Sequence, residues 1–382
     1  MVSRIRGWLT SHSVPIAAFA VSRIWLEVVV AAGLAAWPTG GAIPAQPAPL
    51  SAAPSQAWSR WDGEWYLSIA REGYTDLPRN QYGQRDTAFF PLYPMAIHVV
   101  ASIVSDDILA ARLLSLSAFL AALVLLYDLV LLHHSAEIAN RSVVLLAFFP
   151  FSFFFSAYYS EALFLLLVVA AFLFGEKRRW AMASMAAALA AATRVTGILV
   201  ILGLGVLYWE QRRLKAEAVR SDAAWLLLSL VGPLAFSGFL YARFGDPLLF
   251  VSSQYVTGWG SSSGFALALE SIRALVTSDT ASAAYYPAIN VLHLVAWLAS
   301  AFIALVAWKR LPFPYRAWMV VAVAAALPLW RSSGRYAVVI FPLFVGLALM
   351  LTDRRIYRLI LVAFVFALGA LATLFTHNYW TG

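Results

Sequence analysis

The densest group of residues that could carry out a reaction consists of acidic side chains among aromatic residues. Asp62 and Glu64 lie within the run 60–66. A carboxylate there can accept a proton from a sugar hydroxyl, and aromatic rings can stack on a sugar or cover an apolar chain. Alternatively, Asp62 caps a helix that begins at Gly63, since its carboxylate can accept from free backbone amides. The other candidate binding residues of this run are Arg60, Trp61, Trp65 and Tyr66.

Two further acids belong to separate motifs. Asp86 precedes the run 89–94, in which Pro91 and Pro94 restrict the backbone, so Asp86 is either a site residue or part of a structural turn. Tyr159 and Glu161 end the run 156–161. Glu161 suits a helix N-terminus, where the helix dipole favours an acid, but in apolar surroundings it needs a partner. Tyr159 and Glu161 are therefore candidates for binding a substrate.

Arginines supply the complementary charge. Arg194 lies in the run 193–197. Arg331 and Arg335 flank the short stretch 332–334, and Tyr336 follows Arg335 directly. Guanidinium groups make forked hydrogen bonds to phosphate oxygens, so these arginines are candidates for holding a phosphate. Tyr336 is a further candidate for binding a substrate. The alternative is that the arginines form ion pairs that hold helices together, with Asp62, Glu64 or Glu161.

Other kinds of site have little support. The chain contains no cysteine, which excludes disulfides, thiolate metal sites and cysteine nucleophiles. His98 and His293 are isolated, and no His/Asp cluster has the spacing of metal ligands. No phosphate-binding glycine loop or dinucleotide fingerprint occurs. Arg23 and Glu27 lie one helical turn apart and are interpreted as a mutually neutralising pair.

The elements that must position these residues are apolar. Hydrophobic residues make up 62% of the 382 residues and charged residues 12%, against about 25% in a typical soluble domain. So few polar groups cannot cover a water-facing surface, and the sequence predicts an integral membrane protein. The formal net charge of +8 comes from short basic clusters between apolar runs, which favours contacts with membrane lipids over nucleic acid.

Eleven segments are predicted to cross the membrane as helices: 14–37, 109–132, 142–158, 160–175, 180–194, 195–209, 223–242, 286–308, 313–330, 336–352 and 358–376. The first is too long for the core of a signal peptide. Basic clusters should lie in the cytoplasm. A cytoplasmic N-terminus meets this condition and places the loops 38–108, 243–285 and 331–335 on the outer side.

The segment 89–104 is an exception. It is apolar, but it is short, contains two prolines, and as a crossing would move the later basic clusters outside. It is predicted to be a juxtamembrane or re-entrant helix. The whole chain, 1–382, is predicted to be a single transmembrane domain. Its first outer loop, 38–108, carries the acidic–aromatic motif, and its second outer loop is 243–285.

At these residues the chain resembles a bacterial-type homologue of the GPI mannosyltransferase II (PIG-V) family, in the GT-C glycosyltransferase superfamily. The resemblance rests on the runs 60–74, 89–94 and 156–161, with support from the runs 193–197, 244–247 and 335–342. It implies an all-α polytopic GT-C-type fold of about 11 transmembrane helices, in which a long first outer loop carries juxtamembrane helices and a catalytic acid.

The resemblance also implies a reaction. The donor would be a polyprenyl-phosphate mannose, and the product would form with inversion. Asp62 would act as general base on the acceptor hydroxyl, while Arg194, Arg331 and Arg335 would hold the donor phosphate. Because arginines can stabilise the departing phosphate, a divalent metal is possible but not required, and no cofactor is predicted.

The acceptor, a lipid-linked or glycan hydroxyl, stays open, as does the oligomeric state. The predicted location is the plasma membrane, with the site on the outer face. One competing interpretation is a transporter or flippase for a lipid-linked glycan, although such proteins often contain inverted repeats and none is found here. A structural subunit of a membrane assembly and a GT-C enzyme that transfers another sugar are also compatible with the sequence.

Overall fold

A computed structural model describes residues 2–36, 55–75, 77–78, 83–254, 265–326 and 332–382. Within these ranges the chain forms α-helices and short 3₁₀ segments, and no strand. The helices are α1 Val2–Ser11, α2 Ser13–Ala36, α3 Asp62–Glu72, α4 Leu92–Val104, α5 Asp107–Leu131, α6 Ala136–Phe148, α7 Glu161–Glu176, α8 Trp180–Thr193, α9 Val200–Arg213, α10 Val231–Phe244, α11 Leu249–Gln254, α12 Phe265–Thr277, α13 Ala281–Val306, α14 Phe313–Ala325, α15 Ser333–Ala337, α16 Phe341–Met350 and α17 Arg354–Thr376.

Helices that can cross a bilayer run through the whole described chain. The long and apolar ones are α2, α5, α17, most of α13, and a continuous helical stretch in which the 3₁₀ segment Ser221–Leu230 leads into α10. The helices α4, α8, α14 and α16 are apolar but shorter. The predicted integral membrane protein and its all-α fold are therefore confirmed, whereas the number of eleven crossings stays a prediction.

The predicted crossings differ from the helices mainly at their ends. The predicted segment 142–158 begins and ends too late, because α6 begins at Ala136 and ends at Phe148, where Pro150 forces the preceding backbone out of the helical conformation. The segment 336–352 is broken between α15 and α16, just before Pro342. Residues 327–330 of the predicted crossing 313–330 lie outside the described residues.

The centre of the bundle is α7, which packs against α5 and α8. The helix α7 is apolar on all sides and almost entirely buried, as expected for a helix with no lipid-facing or water-facing side. Its neighbour α8 is rich in alanine, which lets other segments approach its backbone closely. At Gly197 a Cβ atom would lie 2.4 Å from the carbonyl oxygen of Ala190, so the turn after α8 requires glycine there.

The predicted pair of Arg23 and Glu27 does not form. Glu27 pairs instead with Arg112 of α5, at 2.9 Å. Arg23 is buried and donates hydrogen bonds of 2.8–3.1 Å to three residues at the end of α6 and in the following turn: Ala147, Ser152 and Ser156. The periodicity of a helix predicts contacts only between residues of that helix, whereas Arg23 and Glu27 both bind residues of other segments. Arg23 thereby fixes the turn that leads into α7.

Candidate active site

Four charged side chains from distant parts of the chain meet at the end of the bundle where α7 begins. We call this group the charged cluster: Asp62, Glu161, Arg194 and Arg335. Arg335 donates from Nη1 to Asp62 Oδ2 and from Nε to Glu161 Oε1. Arg194 donates from Nη1 to the same Glu161 oxygen. All four residues are buried, with whole-residue exposures of 9% or less, and their formal charges cancel.

The ends of helices position this cluster. Asp62 and Glu161 are the first residues of α3 and α7, where the partial positive charge of a helix N-terminus favours an acid. Arg194 follows the last residue of α8, where a cation is favoured. Trp61, not Asp62, occupies the cap position of α3, and the carboxylate of Asp62 pairs with Arg335, which favours the ion pair over the alternative in which Asp62 caps its own helix.

The backbone before Asp62 is held in an unusual conformation. Trp61 has φ 57° and ψ −118°, a conformation that costs a non-glycine residue on the order of 1–3 kcal/mol and must be imposed by its surroundings. Tyr159 supplies part of that constraint, since its hydroxyl donates to the Arg60 carbonyl at 3.1 Å and accepts from the Asp62 amide at 3.1 Å. The Trp61 ring also packs edge-on against Trp380, with centroids 5.2 Å apart.

Tyrosine side chains line the two arginines. The guanidinium carbon of Arg335 lies 4.6 Å from the ring centre of Tyr159, and that of Arg194 lies 5.2 Å from the ring of Tyr336. The hydroxyl of Tyr66 is 2.9 Å from that of Ser160. Burial raises the pKa of Tyr66 to about 12, so this hydroxyl stays protonated at neutral pH. Cation–π contact with these tyrosine rings stabilises the charged form of both arginines.

A cavity of about 160 Å³ opens beside the charged cluster. Five predicted site residues line it: Asp62, Tyr66, Arg194, Arg335 and Tyr336. Its other polar or aromatic lining residues were not predicted: Phe89, Phe90, Thr193, Thr196, Gln254, Ser332 and Trp380. Thr193 and Thr196 lie on either side of Arg194 and Val195. Their proximity to Arg194 in the sequence could have identified them as candidate site residues. Nothing in the sequence near Trp380 distinguishes it from the other tryptophans.

The cavity wall joins the two predicted outer loops. Gln254, the last residue of α11, donates to the carbonyl oxygen of Ala88 at 2.8 Å. One residue earlier on each side, the hydroxyls of Ser253 and Thr87 are 2.8 Å apart. These contacts bring part of the segment 243–285 to the cavity.

The remaining predicted site residues lie around the cluster rather than on the cavity wall. Arg60 is buried, and in the described part of the chain its Nε and Nη2 atoms have no hydrogen-bond partner. Trp65 stacks on Phe89, and Glu64 is exposed on α3. Asp86 is fully buried and accepts from the amide and hydroxyl of Thr75, both at 2.9 Å, which ties the loop together. Arg331 lies outside the described residues.

One known family matches part of the chain. Residues 50–210 match the sequence model of the family described as Mannosyltransferase (PIG-V). The matched segment covers less than half of the 382-residue chain. It contains three members of the charged cluster, namely Asp62, Glu161 and Arg194. The match agrees with the resemblance found in the sequence and supports a glycosyltransferase.

Similar folds occur among solved structures. The oligosaccharyltransferase of Archaeoglobus fulgidus with a tethered acceptor peptide is 13% identical, with a TM-score of 0.50 over 98% of this chain and 56% of that one. ArnT from Cupriavidus metallidurans bound to undecaprenyl phosphate is 13% identical, with a TM-score of 0.45 over 95% of this chain and 78% of that one. The chain thus spans little more than half of the oligosaccharyltransferase. A sequence comparison with curated proteins finds no match. The GT-C fold is confirmed.

An apolar cleft of about 740 Å³ adjoins the cavity. It is lined almost entirely by apolar residues of α3, α4, α8 and α10 and of the turn before α4. The cavity and the cleft lie side by side. Phe90 and Thr193 line the cavity, and their neighbours in the chain, Pro91 and Ala192, line the cleft. In the part of the chain that the structure describes, no group of three or more His, Asp or Glu side chains is arranged to hold a metal ion.

Proposed function

We propose that this protein transfers a mannosyl residue from a polyprenyl-phosphate carrier to a hydroxyl group of a lipid-linked or glycan acceptor, with inversion at the anomeric carbon. One observation supports this proposal above all others. An acid and two arginines that are fixed by one buried glutamate share the wall of a single cavity. This arrangement offers a proton acceptor and a phosphate-binding group within reach of one another.

In the proposed mechanism, Arg194 and Arg335 bind the donor phosphate. Each guanidinium carries five N–H donors. The hydrogen bonds to Glu161, Asp62 and Ser160 use Nη1 of Arg194 and Nη1 and Nε of Arg335, so Nη2 of each group has no part in them. Glu161 would keep both arginines in place while their remaining donors bind phosphate oxygens. Arg331 remains a further candidate from the sequence.

Asp62 is the proposed general base. Its carboxylate would take the proton of the acceptor hydroxyl as the acceptor oxygen bonds to the anomeric carbon and the bond from that carbon to the phosphate oxygen breaks. Proton transfer removes one negative charge from Asp62 as the leaving phosphate gains one, so the charge beside Arg335 is conserved. The arginines stabilise the leaving group in this scheme, which needs no divalent metal.

The apolar cleft supports a lipid carrier as the source of the sugar. A polyprenyl chain lying in the cleft would keep its phosphate at the boundary marked by Phe90 and Thr193, on the side of the arginines. Binding energy from the chain would then help to orient the reacting carbon. Tyr66, Trp61 and the other aromatic residues near the cavity would contact the sugar.

Transfer from the lipid carrier is the direct test of the proposed function. We expect the purified protein to move label from polyprenyl-phosphate mannose to an acceptor in a panel of glycolipids and glycans, with opposite anomeric configuration in donor and product. GDP-mannose serves as the matched donor control and should give no product, because it has no prenyl chain for the cleft. Equal transfer from both donors, or retained configuration, would contradict the proposal.

Labelling of introduced cysteines tests the proposed outer-face location. Because the chain has no cysteine of its own, a Ser68→Cys variant carries its only thiol on α3, the helix that begins at Asp62. Ala216→Cys places the thiol in an exposed turn after α9. In intact cells we expect an impermeant maleimide to modify Ser68→Cys but not Ala216→Cys. Permeabilised cells provide the control, in which both should react. The reverse pattern in intact cells would put the charged cluster in the cytoplasm.

A further inference from the structure

A second pocket with basic and aromatic walls lies at the opposite end of the bundle from the charged cluster. Its volume is about 650 Å³, and we call it the basic aromatic pocket, defined by Trp209, Glu210, Arg213, Leu214, Trp308, Phe313 and Arg316. The 14 residues of α9 span about 20 Å at 1.5 Å per residue, from the turn that follows Arg194 to Arg213. The pocket is therefore separate from the proposed active site.

Aromatic rings hold the two arginines of this pocket. The guanidinium carbon of Arg213 is 5.1 Å from the ring centre of Trp209. That of Arg316 is 5.3 Å from the ring of Trp308 and 5.2 Å from the ring of Phe313. A guanidinium stacked on a ring keeps its N–H donors at its edge, where they can bind a planar or tetrahedral anion.

Among the residues that the structure describes, the two arginines have no ion-pair partner within hydrogen-bonding distance. In the described part of the chain neither forms a salt bridge, and the buried Nε of Arg316 makes no hydrogen bond. By contrast, the neighbouring Arg212 is bound to Glu217 at 2.6 Å and Asp222 at 2.7 Å. With Glu210 as the one acid in the lining, the pocket keeps a formal charge of +1. A buried donor that lacks a partner is costly unless a ligand satisfies it.

We propose that the basic aromatic pocket binds the phosphodiester headgroup of an anionic membrane lipid. A phosphodiester carries one negative charge, which balances the pocket. Trp209, Trp308 and Leu214 are 48%, 37% and 79% exposed, and tryptophan at the end of a membrane helix marks the interface between acyl chains and headgroups. A lipid phosphate lies at that depth, whereas a soluble phosphate ester would gain nothing from the apolar rim.

Lipid binding by a double variant tests this proposal. The full-length protein is delipidated and incubated with phosphatidylglycerol or phosphatidylcholine, and bound lipid is measured by native mass spectrometry. We expect Arg213→Gln/Arg316→Gln to bind phosphatidylglycerol about tenfold more weakly than the unmodified protein, because it loses charge-assisted hydrogen bonds. The matched control is Lys215→Gln/Lys309→Gln, which removes the same charge from exposed residues near the same end of the bundle and should bind normally.

The outcomes separate specific from general attraction. An equal loss in both double variants would show that only net charge matters and would overturn the proposal, as would unchanged binding in Arg213→Gln/Arg316→Gln. Soluble glycerol phosphate is added as a third ligand. If it binds the unmodified protein as tightly as phosphatidylglycerol, the ligand is a soluble phosphate ester and the lipid source is overturned. Thermal unfolding of each variant confirms that the fold is retained.

Discussion

Asp62→Asn is expected to lower the turnover rate of sugar transfer by about 10²–10⁴-fold, the usual contribution of a general base. The asparagine has nearly the same volume and can still accept a hydrogen bond from Arg335, but it cannot take a proton from the acceptor. Since Glu161 still holds Arg194 and Arg335, the donor should bind with a similar Michaelis constant. Initial rates with labelled donor at saturating concentrations measure this effect.

Asp279→Asn is the matched control for this substitution. Asp279 is exposed, and the same change of one carboxylate to an amide there should leave the rate within about twofold, as expected for a surface substitution away from the site. If Asp62→Asn turned over the donor at nearly the rate of the control, Asp62 would not be the base. A loss of activity together with loss of folded protein would instead indicate a structural role, so thermal unfolding accompanies the kinetic measurement.

Arg335→Lys is expected to weaken inhibition by polyprenyl phosphate, the leaving group of the proposed reaction, by about 10- to 100-fold. Arg335 reaches Asp62 and Glu161 through two different nitrogens and lines the cavity as well. A lysine keeps the charge but has a single ammonium, which cannot contact both acids and a phosphate in the same fork geometry. A net loss of about one charge-assisted hydrogen bond, worth about 1.5–3 kcal/mol, accounts for the size of the effect.

The control for Arg335→Lys is Arg243→Lys, an exposed arginine in the last turn of α10. Its inhibition constant should match that of the unmodified protein. Arg335→Met extends the test, because it leaves a buried Asp62 without its partner and should destabilise the fold by about 3–5 kcal/mol. Unchanged inhibition in Arg335→Lys, together with a lowered melting temperature in Arg335→Met, would assign Arg335 a purely structural role.

The helices were largely predictable from local sequence. A membrane helix must satisfy its own backbone hydrogen bonds and bury about 20 apolar residues in lipid, so α2, α5 and α17 follow from composition and length. Their ends were less predictable, as the late placement of the segment 142–158 shows. Where a helix stops depends on a proline or a cap, but also on contacts with other segments, such as those that Arg23 makes with Ser152 and Ser156.

The charged residues were predictable as candidates but not as a cluster. Each acid and arginine stood out because a charge in apolar surroundings needs a partner. The sequence left open whether Arg194 and Arg335 pair with acids or face a phosphate. The structure shows the pairing with Asp62 and Glu161 and places both arginines on the cavity wall, so one arrangement can accommodate both interpretations.

By itself, the sequence determined that this chain lies in a membrane as a helical bundle and which charged residues need partners, because hydrophobicity and the cost of buried charge are properties of single residues and short segments. Only the tertiary structure decided which partners they have. Asp62 and Arg335 are 273 residues apart, and Trp380 reaches the cavity from the end of the chain. Such contacts depend on how whole helices pack, which local periodicity does not encode.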